Sequence, residues 1–71
     1  VFIFVKVIPQ MRSEAYKKIA KLPTLRVFRV AGDIDLIILA TREKLDEILK
    51  EISQIKGIED TRSYVAIEAV K

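Results

Sequence analysis

The chain has 71 residues, 51% of them hydrophobic, with thirteen Lys/Arg against ten Asp/Glu, a net charge of +3 and a mean hydropathy of +0.23. That length suits one small domain, and the absence of cysteine and histidine removes disulfides, thiolate chemistry, the commonest general base and the commonest metal ligand. No apolar run approaches the roughly 18 residues of a membrane span, and Val1–Val5 lacks the flanks of a signal peptide, so a cytoplasmic protein with no membrane partner is expected.

Val1–Ile8 reads as a strand. Both of its alternating sets, Val1/Ile3/Val5/Val7 and Phe2/Phe4/Ile8, are apolar, with Lys6 the exception, so both faces are expected to be covered. Pro9 ends it by withholding a ladder N–H. The start at Val1 implies that an initiator methionine or more has been removed.

Ser13 is the expected N-cap of a first helix, whose apolar stripe is Ala15, Tyr16, Ile19 and Ala20, with Leu22 following. Glu14 near its start and Lys17, Lys18 and Lys21 towards its end complement the helix dipole, and Pro23 forbids continuation. A second strand is expected over Leu25–Ala31 and a third over Asp35–Ala40. The Gly32-Asp33 pair between them reads as a tight hairpin turn, because glycine supplies the positive φ of a primed turn.

Thr41 is the expected cap of a second helix. Leu45, Ile48, Leu49, Ile52 and Ile55 fall on one face, Arg42, Asp46 and Lys50 follow one another on the wet side, and Gly57 suits the C′ position. A last strand is expected over Thr61–Val70.

The order βαββαβ predicts an α+β, ferredoxin-like sandwich in a single domain, residues 1–71. Right-handed crossovers put both helices on one face of a four-stranded antiparallel sheet and make the first and third strands central. Those are the two strands apolar on both faces, so half of their side chains need a second cover. The simplest cover is the same face of another copy, a symmetric homodimer.

The charge is uneven: residues 1–31 hold seven of the thirteen Lys/Arg and one acid, Glu14. A nucleic-acid face is one reading of this, but no aromatics interleave with the charges, so a solvated helix and guarded strand edge is preferred and direct DNA binding is not expected. RNA-module stacking aromatics are missing from the third strand, and the loop Pro9-Gln10-Met11-Arg12 carries no Cys-x-x-Cys. Arg12 alone, in a chain without asparagine, does not make an acylphosphatase-type site. Asp33 and Asp35 have no His or Cys partner, so no catalytic residue, metal or cofactor is expected. The lack of Asn and Trp, with abundant Ile, Lys and Glu, hints at a thermophilic source.

The element order, the turn Gly32-Asp33-Ile34-Asp35 running into an Ile/Leu strand, and Gly57-Ile58 followed by Thr61-Arg62-Ser63-Tyr64 together resemble the C-terminal effector domain of the Lrp/AsnC transcriptional regulators, also called RAM for regulation of amino-acid metabolism. The resemblance spans essentially the whole chain. Ile34 stands where members usually carry an aromatic, and Ser63 stands at the second position of a usual Thr-x-Thr. The chain lacks the helix-turn-helix of full-length members and so resembles a stand-alone effector domain.

That resemblance implies dimers through the sheet face that gather into an octamer or a larger ring. It also implies an amino-acid effector between dimers, near the turn after the second strand and the start of the last. The residues it points to are Ala31, Gly32, Asp33, Ile34, Asp35, Thr61 and Ser63. Backbone N–H groups around 31–34 suit the effector carboxylate, Asp33 or Asp35 its ammonium, and Thr61 and Ser63 offer hydroxyls. An assembly module without ligand, forming mixed oligomers with full-length Lrp/AsnC-type relatives, is the alternative.

Overall fold

The computed structural model describes all 71 residues as β1 (Phe2–Val7), α1 (Arg12–Ile19), β2 (Arg26–Arg29), β3 (Leu36–Leu39), α2 (Leu45–Ser53) and β4 (Ile58–Tyr64). One antiparallel sheet has the order β2-β3-β1-β4, with β3 and β1 in the centre. The two most apolar strands take the central places because only there are both faces removed from the sheet's wet edges.

Alternation then sorts the side chains. Ile3, Val5 and Val7 of β1 and Leu36 and Ile38 of β3 are buried together with Ala15 and Ile19 of α1 and Ile48 and Ile52 of α2. Residues one step along each strand face the other way. The register sets Arg26, Leu39, Phe2 and Tyr64 in one cross-strand row and Phe28, Ile37, Phe4 and Arg62 in the next. No helix covers these rows. The Phe4 and Tyr64 rings pack with centroids 5.3 Å apart, and the Arg26 guanidinium lies 5.3 Å from the Phe28 ring centroid.

Several boundaries differ from those expected. β1 stops at Val7, and Ile8 donates its N–H to the Gly57 carbonyl at 2.8 Å as the chain turns. A 3₁₀ turn over Pro9–Met11 runs directly into α1, so Ser13 lies inside the helix and caps nothing. Proline at the first position of that turn, with φ already set, begins the helical path in its place. Ala20 is exposed rather than part of the buried stripe.

β2 and β3 are shorter than expected, although Leu25 N–H to Leu39 O (2.8 Å) and Val30 N–H to Asp35 O (3.0 Å) extend their pairing at both ends. Ala31–Ile34 therefore form a four-residue loop. Val30 and Asp35 close this loop, and its four residues rule out the two-residue primed turn; Gly32 within it has φ +154°.

Thr41 precedes a 3₁₀ turn, Arg42–Lys44, but its hydroxyl makes no capping bond. Of the charges on the outer side of α2, Lys44 and Glu47 approach each other at 3.9 Å, in place of the expected Arg42, Asp46 and Lys50 series. The helix ends at Ser53, so Gly57 is not its C′ residue. Gly57 is required for another reason: it has φ +97°, and a Cβ there would collide with the Met11 Cβ. β4 begins at Ile58, three residues before the expected Thr61, and ends at Tyr64, six residues before the expected Val70. Tyr64 pairs with Phe2, the first residue of β1, and Val65–Val70 pair with no strand.

Candidate functional site

The loop between β2 and β3 is anchored by Asp35. Ladder pairing of β1 with β3 reaches only Val5 opposite Leu36, so the Val7 N–H has no strand carbonyl on that side. The Asp35 carboxylate supplies the acceptor, taking that N–H at Oδ2 over 2.7 Å. Its Oδ1 lies 3.1 Å from Arg12 Nε and 3.4 Å from the Tyr16 hydroxyl, which donates to it. The Asp35 N–H donates to the Val5 carbonyl at 2.9 Å. One side chain thus ties β3 to the end of β1 and to α1. At 12% exposure its charge is only partly hydrated, which makes these charge-assisted bonds stronger than their surface equivalents.

Against this anchor the loop stands over a hollow of about 400 Å³, walled by Arg12 and Tyr16 of α1, Arg29 at the end of β2, and Val30, Ala31, Gly32, Ile34 and Asp35. The N–H groups of residues 31–34 donate to no backbone carbonyl. They form a short run of free donors beside two guanidinium groups. Of those two, Arg12 is paired with Asp35, whereas Arg29 has no carboxylate within 4.0 Å.

Four of the expected site residues, Ala31, Gly32, Ile34 and Asp35, are therefore brought together here. Asp33 is not among them. It borders a second hollow, about 380 Å³, on the helix-free face of the sheet, with Phe4, Lys6, Ile34, Asp60, Arg62 and Tyr64. There Arg62 Nε lies 3.4 Å from Asp60 Oδ2. Contact with Tyr64 first, and the charge of Asp60 second, hold the Arg62 guanidinium above its ordinary pKa, so it is a permanent cation.

Thr61 and Ser63 line neither hollow. They pair with Val5 and Ile3, whose side chains face the helices, and β1 stands between β4 and β3. Within one chain they do not meet the 31–34 loop. Period-two alternation makes the complementary set, Asp60, Arg62 and Tyr64, the ones that share a face with Phe4. Arg12, Tyr16 and Arg29 were also outside the expected site. Arg12 and Tyr16 come from α1 and Arg29 from β2, and Asp35 joins the first two to the loop. No group of three or more His, Cys, Asp or Glu side chains is placed to hold a metal ion.

Comparison with known proteins gives the family and a matching fold. The sequence model described as the Lrp/AsnC ligand binding domain matches residues 1–71. An uncharacterised HTH-type transcriptional regulator of Pyrococcus furiosus is 35% identical over 48 residues, 63% of this chain. The chain spans about a third of that relative's length, 32%. A crystal structure of a protein from Thermus thermophilus superposes with a TM-score of 0.84 at 25% identity, covering 99% of this chain and 94% of the other.

Proposed function

The chain belongs to the Lrp/AsnC ligand binding domain family of transcriptional regulators, and from that premise we propose that it is the amino-acid-sensing and assembly unit of such a regulator. Regulators of this family oligomerise and bind amino-acid effectors. Here two copies pair through their helix-free sheet faces, dimers gather into an octamer or larger ring, and a small amino acid seats in the loop hollow where dimers meet. The unit works in the cytoplasm and leaves DNA contact to a helix-turn-helix.

The observation that carries the reading is the loop hollow, where Ala31, Gly32 and Ile34, with unpaired backbone N–H groups, stand beside Arg12 and Arg29 on a loop tied down by Asp35. Pre-set donors of this kind suit a carboxylate. In this reading the effector sits between copies, which gives Thr61 and Ser63 a place at the site. Thr61 and Ser63 reach the hollow only if they come from an adjoining copy, because β1 separates them from the loop in their own chain. Asp35 supports the loop rather than receiving an ammonium group, since its oxygens are already taken.

The test is thermal unfolding against the twenty amino acids, one at a time. A ligand at a hundred times its dissociation constant stabilises the folded state by about 2.7 kcal/mol. One or two amino acids raising the midpoint supports sensing and names the effector. A flat panel with intact oligomers leaves assembly alone, with itself or with full-length DNA-binding relatives, as the function.

A further inference from the structure

The charges of the loop hollow do not balance, and the imbalance selects a ligand class. Arg12 and Arg29 are set against a single carboxylate, Asp35, and the Asp35 oxygens already accept from Val7 N–H, Arg12 and Tyr16. Arg29 has no anionic partner in the chain. Asp33, two residues from the anchor, faces the other hollow and does not neutralise this one. The loop residues on this hollow, Ala31, Gly32 and Ile34, add unpaired backbone groups but no negative charge.

A neutral zwitterion satisfies the loop N–H groups with its carboxylate and leaves Arg29 unmatched. A ligand with two carboxylates matches both: one on the N–H run of 31–34 and the other on the planar, two-pronged guanidinium of Arg29. Resting on the sensing reading above, we propose that the hollow selects a small dicarboxylic acid, either an acidic amino acid or the corresponding 2-oxo acid. Arg29 is its specificity-determining residue. The side chain lies at the solvent-exposed end of an edge strand, so exchanging it leaves the core untouched.

Calorimetric titration of the whole chain in its native oligomeric form tests this. Aspartate, glutamate, succinate and 2-oxoglutarate are compared with asparagine, glutamine, leucine and lysine. A charge-assisted pair at Arg29 gives the dicarboxylates an advantage of roughly tenfold or more over the amides. In Arg29→Gln that advantage falls to about threefold or less, in Arg29→Lys it is partly kept, and in raised salt it shrinks. Equal binding of 2-oxo acids and amino acids identifies an organic-acid ligand whose ammonium is not read. Preference for the amino acids identifies an acceptor on an adjoining copy. Either result supports the dicarboxylate.

A neutral or basic amino acid that binds tighter than all four acids, with Arg29→Gln indifferent, overturns the dicarboxylate and leaves the sensing reading standing. No binding by any compound, with oligomers intact, overturns both. If Arg29→Gln changes the oligomeric state and no affinity, Arg29 serves contact between copies and the proposal fails.

Discussion

The two faces of the sheet are made by the same strands from the same kinds of side chain, and they end in opposite states. On the helix side Ile3, Val5 and Ile38 are fully buried. On the other side Phe2, Phe28 and Tyr64 remain 41%, 44% and 51% exposed, with Ile37 and Leu39 between them. Two helices of eight and nine residues cover one face, and this chain has no third layer for the other. A contiguous apolar patch of aromatics and branched aliphatics, rimmed by Lys6, Arg26 and Arg62, is the composition of a contact surface. The helix-covered face keeps the chain folded, whereas the open face is the surface that the proposed dimer uses.

That contrast is best broken from the covered side first. Ile38→Ala removes a fully buried side chain between both helices and is expected to cost about 2–5 kcal/mol of unfolding free energy, read by urea denaturation at fixed protein concentration. A loss below about 1 kcal/mol would mean that the core is looser than its burial indicates. Next comes Gly57, where the chain passes against Met11 on its way into β4. Gly57→Ala drives a Cβ into the Met11 side chain at a φ of +97°, so overpacking and backbone strain add to about 2 kcal/mol or more by the same measurement. The same substitution in the loop makes the comparison sharper. Gly32 has φ +154° but open space around a Cβ, so Gly32→Ala costs only backbone strain, about 1–3 kcal/mol, partly offset by a stiffer unfolded chain. Equal costs at the two glycines would contradict the packing account of Gly57.

The element order and the identity of the central strands were legible because Val1–Val7 and Leu36–Leu39 are apolar in both phases, a pattern only a strand inside the sheet supports. The ends of the elements were not. Val65–Val70 alternates as a strand does, yet pairing is a property of two strands, and here it ends at Tyr64 opposite Phe2; Ile67 and Val70 are 95% and 92% exposed. Ser13 has the right chemistry for a cap, but Pro9 begins the helical path upstream. At the site, the loop 31–35 was visible from its Gly and Asp residues. Its two arginines were not, because Arg12 and Arg29 reach the hollow from α1 and β2. The use of the Asp35 carboxylate depends on where ladder pairing stops, at Val5 and Leu36. The side chains of Thr61 and Ser63 are the half of β4 that points to the helices, a phase that only the register with Ile3 and Val5 decides.

The account rests on the open face as the surface of association, and sedimentation of Phe28→Asp beside the unaltered chain tests that most directly. Phe28 is 44% exposed and contributes nothing to the buried core, so the substitution leaves the circular dichroism spectrum of a folded domain. It places a charge on the patch, opposite Ile37, where a partner's apolar face would have to desolvate it. The account predicts dimers or larger assemblies for the unaltered chain and folded monomers for Phe28→Asp. Assemblies of unchanged size in Phe28→Asp, or an unaltered chain that is monomeric at micromolar concentration, would contradict it.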